Sequence, residues 1–438
     1  MIKKIFSLAR YSFLTGVGIL LGFVRELVVS SHFGLSKELD VYIAMGGFFL
    51  FLGPQVGNAL EMVFISKTAQ LDTAAKLTQR LMQGLRVMLV VDVAVVGILL
   101  STASYLVAWI FPGFSEEQRE LGVVFVAHLC LAIVFANLAG LIRASLNIMR
   151  RFSPGLIAGS IVSVFSIAAV VVYGDRYGVQ ALLYGFICGH AAVLVLNTVM
   201  FLRFADFSYR SNKEQRSRLP SFWGPVFLVL LLEAFFQARS MTERGFASTL
   251  ETGTVSAFFY ASTLITLPVS LVVMPLSTVL YPRLAEAFAE DRRRGYSMLK
   301  RYGGGLFVFA VIIALIISVA SEEIVKVVFL RGRFTPDDAS RTAHILSIVS
   351  LNLPLLSVTR LIRYSLYSMS NYTAPCVAQV IGWLMMASAG MVLLPKYGID
   401  GLAYSSVLAC GSVGLALFAS LHLSFLKYDG RQRVVETA

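Results

Sequence analysis

Apolar runs of about 20 residues recur from one end of this 438-residue chain to the other. Each is long enough to cross ~30 Å of hydrocarbon at ~1.5 Å per residue. Twelve can be drawn: 11–33, 41–65, 85–110, 122–148, 155–174, 179–202, 223–249, 254–281, 303–320, 341–369, 375–394 and 401–425. With 57% hydrophobic and 14% charged residues, too little polar surface remains to cover soluble domains. In hydrocarbon every backbone amide needs an internal partner, and runs of this length meet that need as helices. The expectation is an all-α integral membrane protein with twelve transmembrane helices. The first run lacks a small-residue cleavage pattern and carries Arg25–Glu26, so it reads as a retained helix. The four cysteines, Cys130, Cys188, Cys376 and Cys410, all fall inside runs, which predicts free thiols and neither a disulfide framework nor a metal site.

Orientation follows from the basic residues between runs. With the N-terminus cytoplasmic, inside segments hold 21 Lys and Arg against 8 outside, and eight more arginines are embedded, accounting for all 37. Both termini are therefore placed in the cytoplasm. The net charge of +12 is largely this topological bias, Arg292–Arg293–Arg294 included, with contact to anionic lipid headgroups as its functional reading. The basic loops are short and lack interleaved aromatics, which argues against nucleic acid.

The chain is also a duplication. Leu141-Ile-Arg-Ala-Ser-Leu-Asn-Ile-Met149 returns as Leu361-Ile-Arg-Tyr-Ser-Leu-Tyr-Ser-Met369, a shift of 220 residues. Pro154 and Pro375 follow, then Tyr177-Gly-Val and Tyr397-Gly-Ile at the same shift of 220, while Pro54 and Pro268 interrupt the second and eighth runs. Six helices per copy is an even number, so both copies enter the membrane from one side, as parallel repeats. The expected organisation is an N-terminal lobe 1–205, a basic cytoplasmic linker 206–222 and a C-terminal lobe 223–438 around a central cleft. Gly18/Gly22 and Gly53/Gly57 are small-residue pairs suited to close helix approach. Pro54, Pro268, Pro275 and Pro354 lie mid-span; Pro54 and Pro268 read either as hinges or as static kinks.

Every embedded positive charge is an arginine: Arg10, Arg25, Arg86, Arg143, Arg239, Arg244, Arg360 and Arg363. A charge at the bilayer centre costs at least ~2.5–3.5 kcal/mol, so it faces a cavity or a partner. Arginine grips phosphate through a planar fork, two bonds at a time. The pattern suits a bulky anion such as a phosphate-bearing lipid. Substrate-site candidates are Arg25, Glu26, Arg143, Arg239, Glu243, Arg244, Arg360 and Arg363; the competing reading is an internal salt-bridge network through Glu26, Glu233 and Glu243. Arg10 and Arg86 lie near cytoplasmic ends and are read as snorkelling. Asp92 is either an ion-coupling carboxylate or a polar packing contact, and His128 and His190 are packing residues. Thr335-Pro-Asp-Asp338 has the form of a helix start.

Several motifs carry a family resemblance: Gly22-Phe-Val-Arg-Glu26, Phe33-Gly34, Asp40, Pro112-Gly-Phe114, Arg151-Phe-Ser-Pro154 and Gly332-Arg-Phe-Thr335. In series over nearly the whole chain they resemble the MviN/MurJ lipid II flippases of the multidrug/oligosaccharidyl-lipid/polysaccharide exporter superfamily. The resemblance implies a two-lobed helical flippase in the bacterial inner membrane, with Arg25 as a phosphate-binding candidate and no cofactor. It also marks this chain as divergent. Ile19, Gly53 or Pro54, and Ser262-Thr263 stand where family arginines are expected, and family members usually have fourteen helices. Sequence alone therefore favours flipping of an undecaprenyl-diphosphate-linked exopolysaccharide or O-antigen-like unit, with lipid II second. A drug or organic-cation exporter would call for acids in the cavity. An enzyme would need a carboxylate–metal or His–acid constellation that the acidic pairs at 116–117, 322–323 and 337–338 do not make. The partners expected are the lipid-linked sugar diphosphate, membrane lipids and polysaccharide or cell-wall polymerase machinery.

Overall fold

The computed structural model describes residues 2–55, 74–206, 223–369, 371 and 373–436. Side chains within the first twelve residues, around 54–55 and 223–233, and beyond 426 are not described. The linker expected at 206–222 lies almost wholly outside the described residues, as does Gly57, and so do the side chains of Arg10 and Glu233. Among the described residues every regular element is helical: α1 (Ile2–Phe33), α2 (Lys37–Leu50) with a π-helical turn (Phe51–Gln55), α3 (Ala74–Ile110), α4 (Glu116–Ile148), α5 (Ser153–Tyr177), α6 (Val179–Leu202), α7 (Trp223–Ser248), α8 (Thr254–Pro268) with a second π-helical turn (Val269–Val273), α9 (Met274–Glu290), α10 (Arg292–Val319), α11 (Ser321–Phe329), α12 (Pro336–Val349), α13 (Asn352–Ser368) and α14 (Thr373–Glu436). Eight helices among the described residues are long and apolar enough to cross a membrane, and nine if the bent pair α12 and α13 makes one span. The expected second span runs into residues outside the described set. The last two expected spans form the single run α14, broken at Gly398 (φ 55°, ψ −126°).

Two compact units result. The first comprises Met1–Gln237 with Arg331–Arg333, the second Ala238–Leu330 with Phe334–Ala438. Their internal construction repeats the duplication read from sequence. Ser115 caps α4 and Thr335 caps α12, each in a reciprocal box with Gln118 and Asp338. At the far ends of the matched helices, Arg151 N donates to Leu146 O at 2.8 Å and Asn371 N to Leu366 O at 2.9 Å, the six-residue closure of a left-handed helix stop. Ser145 and Ser365 each bond back one turn, to Leu141 O and Leu361 O. Gly178 (φ 57°) and Gly398 (φ 55°) make the same left-handed corner, which a side chain would strain. Ser115/Thr335, Ser145/Ser365, Arg151/Asn371 and Gly178/Gly398 all stand 220 residues apart.

Prolines account for the breaks. Pro54 sits inside the first π-helical turn, and Pro268 opens the second, where Met274 N reaches back to Val269 O. A proline deletes one amide and clashes with the carbonyl four residues earlier, and a π turn absorbs the missing bond. Pro354 acts likewise on Ser350. The span expected at 341–369 bends there by 44° between α12 and α13.

Helix contacts depart from the glycine pairs singled out in the sequence. Gly18 does allow approach, since a Cβ there would lie 3.5 Å from Ser160 Oγ, but around Gly22 nothing lies within 4 Å and Gly53 faces its own Phe49. The tight crossing is between α5 and α6. There a Cβ on Gly185 would stand 2.6 Å from the Ala169 Cβ, and one on Gly189 2.7 Å from the Val162 Cα. Gly189→Ala should thus destabilise the protein by about 1–3 kcal/mol, because backbone has to move. Gly159→Ala, with nothing within 4 Å, should be neutral or slightly stabilising through helix propensity. Melting of both variants in one detergent checks this; equal melting would mean that the α5–α6 contact is looser than described.

Candidate functional site

In the first unit, Arg25 and Glu26 are neighbours on α1 whose side chains fold together. Arg25 Nε donates to Glu26 Oε1 at 2.9 Å and its Nη2 donates to the same oxygen at 2.5 Å. Glu26 is nearly buried, at 9% side-chain exposure, while Arg25 keeps 26%. The pair is therefore a desolvated carboxylate holding one edge of a guanidinium that still reaches accessible space. Tyr42 of α2 and His190 of α6 lie within electrostatic reach of Arg25. Around His190 the rings of Phe49 and Phe186 close in at 4.9 and 4.7 Å, an aromatic wall made by α2 and α6. His190 thus packs, as expected. His128 bonds back to Val124 O and leans on Tyr184.

Arg143 is held elsewhere. Its Cδ would lie 2.8 Å from a Cβ on Gly155, so the glycine at the start of α5 makes room for the arginine stem. Helices α1 and α5 run parallel, since Gly18 faces Ser160 and Gly174 faces His32 and Phe33. Arg25 consequently stands roughly 12 residues, or ~18 Å, further along that axis than the level of Gly155. Arg143 is not brought to the Arg25 cluster. Arg86 is exposed on α3.

In the second unit, α7 carries Arg239, Glu243 and Arg244. Glu243 Oε2 accepts from Ser406 Oγ of α14 at 2.8 Å, and Asn352 Nδ2 at the head of α13 donates to the same hydroxyl at 3.5 Å. Trp383 Nε1 donates to Thr242 Oγ1 at 3.1 Å, tying α14 to α7 a second time. The Arg239 stem runs beside Gly382. Glu243 acts electrostatically on Arg244, and Arg239, Glu243 and Arg363 all act on Cys410. So Arg239, Glu243, Arg244 and Arg363 share one neighbourhood inside the unit. Arg360 lies one turn from Arg363 on α13, with its guanidinium 5.8 Å from the centre of the Tyr364 ring, which in turn stacks on Tyr281 of α9 at 4.6 Å. The Nε atoms of Arg360 and Arg363 are buried with no hydrogen-bond partner. The four cysteines are unpaired thiols.

Sequence reasoning missed the partners rather than the charges: Tyr42, Ser406, Asn352, Thr242 and Trp383. Asn352 had a legible signal, since an amide inside an apolar run seeks a partner. Ser406 had none, because serine is common in membrane helices and its reach depends on how two helices are rotated.

Comparison with known proteins decides the family. The family model described as "Lipid II flippase MurJ" matches residues 29–432. The chain belongs to the MurJ lipid II flippase family. Among curated MurJ relatives, the "Probable lipid II flippase MurJ" of Helicobacter pylori (strain J99) is 26% identical over 331 residues, 70% of each chain. That of Aquifex aeolicus is 23% identical over 443 residues, covering 95% of this chain and 84% of its own. In fold, the chain is similar to a solved "Lipid II flippase MurJ, inward closed conformation" with TM-score 0.83 at 22% identity, covering 94% and 87% of the two chains. An inward-facing multidrug resistance MATE transporter follows at 0.70 and 12% identity, with 95% of each chain covered. The MurJ family consists of transporters, so this chain is a multi-pass membrane transporter rather than an enzyme.

The site geometry makes a check within the second unit. Ser406→Ala and Glu243→Gln should each lower the melting temperature, the serine change by about 1–3 kcal/mol for an unsatisfied carboxylate. The double variant should cost less than the sum. Strict additivity would show that the Glu243–Ser406 bond contributes nothing.

Proposed function

We propose that this protein translocates lipid II, an undecaprenyl-diphosphate-linked sugar, from the inner to the outer leaflet of the bacterial cytoplasmic membrane, with both termini in the cytoplasm. The match to the MurJ family model over residues 29–432 carries this reading, and it shifts the preference away from the exopolysaccharide or O-antigen-like unit that the sequence alone favours. Arg25 in the first unit, and Arg239, Arg244, Arg360 and Arg363 in the second, are the phosphate-binding groups. Support comes from their half-burial and, for Arg360 and Arg363, from buried Nε atoms that lack an acceptor. Glu26 and Glu243 orient the arginines beside them, and Arg143 positions α4 against α5. Pro54 and Pro268 serve as hinges at the π-helical turns for alternating access by the two halves. No Gly-x-x-x-x-Gly-Lys-Ser/Thr loop exists in the sequence, so nucleotide hydrolysis is not the driving force. An ion gradient, the membrane potential or the downstream polymerase supplies it.

One observation favours a second reading. Ile19 and Gly53 or Pro54 stand where the resemblance leads one to expect arginines, and Ser262-Thr263 where it leads one to expect an Asp-Arg pair, which suits a different lipid-linked oligosaccharide.

Reconstituted vesicles separate the two. Labelled lipid II should become accessible on the far leaflet without ATP, and a lipid-linked exopolysaccharide unit should not. The reverse preference would replace the first reading by the second, and a requirement for ATP with the purified protein would overturn both mechanisms. In the same vesicles Arg25→Lys and Arg244→Lys should lose about tenfold or more, since lysine keeps the charge and loses the fork. Arg86→Ala should be close to wild type.

A further inference from the structure

Three polar groups meet inside the first unit, away from the arginine clusters. Asp92 of α3 is 1% exposed and Asn137 of α4 is 2% exposed. Asn137 Nδ2 donates to Asp92 Oδ1 at 2.7 Å and to the Leu52 carbonyl, in the π-helical turn of α2, at 3.1 Å. Both amide protons are thereby spent. Asp92 Oδ2 and Asn137 Oδ1 remain as buried acceptors with no donor. An ionised carboxylate here would have one hydrogen bond and, among the described residues, no counter-charge, a state that buried carboxyls relieve by taking up a proton.

We propose that Asp92 is a proton-binding site, and that its protonation is coupled through Asn137 to the bend of α2 at Pro54. In this conformation the carboxyl is neutral, with the proton on Oδ2. On release the proton returns to water, leaving a carboxylate that needs both amide protons of Asn137. Asn137 then lets go of the Leu52 carbonyl, and the π-helical turn loses the bond that holds it. A metal cation fits less well, because among the described residues only Asp92 Oδ2 and Asn137 Oδ1 are open acceptors here, while Asp92 Oδ1 and the Leu52 carbonyl already accept from Asn137.

Among the described residues no other charge is set against Asp92. Asp92's electrical surroundings are burial and the Asn137 hydrogen bond. On its own helix Arg86 and Tyr105 are exposed. Along α4 the titratable groups nearest Asn137 are Cys130 and His128 on one side and Arg143, turned to Gly155, on the other, with Glu116, Glu117, Arg119 and Glu120 at the far start of the helix. Lys37, Glu38, Asp40 and Tyr42 lie toward the opposite end of α2, and α6 brings Cys188 and His190, the latter enclosed by Phe49 and Phe186. The second unit has the matching π-helical turn, yet Leu306–Ile312, which correspond to the Asp92 region by the repeat shift, contain no acid. The device belongs to one half.

The proposal rests on the transport reading only for its second readout. Infrared difference spectra of the purified full chain between about pH 5 and pH 9 should show a protonated carboxyl band that is absent in Asp92→Asn. In vesicles loaded with labelled lipid II, an imposed pH gradient should change the wild-type flipping rate by about fivefold or more, and Asp92→Asn should flip at a rate indifferent to the gradient. No Asp92-dependent band, or an unchanged pH response in Asp92→Asn, overturns the proposal. So does a response to sodium at constant pH that Asp92→Asn abolishes. If Asp92→Asn fails to fold, Asn137→Ser serves in its place: it should shift the carboxyl band and the pH midpoint, and an unmoved band would refute the coupling. A band present without any lipid II flipping would leave the proton site standing and sink the transport reading instead.

Discussion

A backbone amide in hydrocarbon must be satisfied by the protein itself, and this requirement governs where the chain can bend. Helix answers it everywhere except at the mid-span prolines, each of which removes a donor and orphans a carbonyl. The two π-helical turns and the α12–α13 bend fall beside Pro54, Pro268 and Pro354. Beside the first break a helix carbonyl also takes a bond from outside its own helix, from the Asn137 side chain to Leu52 O. A buried amide then needs its own partner, and Asp92 supplies it. The π-helical turn at Pro54 is thus tied to polar side chains on two further helices.

The duplication shows which features such constraints hold fixed. Caps at Ser115 and Thr335, serine back-bonds at 145 and 365, and left-handed corners at Gly178 and Gly398 all persist in both halves. They terminate or turn helices, and a helix end without its cap or its positive φ leaves backbone groups unsatisfied. Side-chain chemistry has drifted more freely. Arg143 and Arg363 occupy equivalent positions, yet one leans on Gly155 while the other shares its surroundings with Arg239, Glu243 and Cys410.

What could be read from the chain divides along the same line. The all-helical class, the start of α12 at Thr335 and the Arg25–Glu26 pair were legible because each depends on residues within a few positions of one another. The repeat was legible because local signals recur at one shift. The α5–α6 crossing at Gly185 and Gly189 was not, although its spacing equals that of Gly18 and Gly22, since only the rotation of the helices decides which glycine faces a neighbour. For the same reason Ser406 could not be foreseen as the partner of Glu243. The separation of Arg143 from Arg25 needed a helix direction, that of α1 against α5, which charge counting does not contain.

Ion pairing explains how embedded arginines persist without locking the protein. A buried pair roughly balances desolvation against attraction, while a buried charge stripped of its partner is strongly destabilising. Glu26 uses one edge of the Arg25 guanidinium, and Glu243 lies within electrostatic reach of Arg244. On the proposed reading, a diphosphate adds to these pairs on arrival, and the acids keep the cations compensated when it leaves. Arg360 and Arg363 lack an acid within a helical turn, though Arg363 shares the surroundings of Glu243. The Tyr364 ring faces the Arg360 guanidinium instead, a weaker compensation than a carboxylate gives. On that reading, an anion would be held most strongly at Arg360, and released most easily beside Glu26 and Glu243.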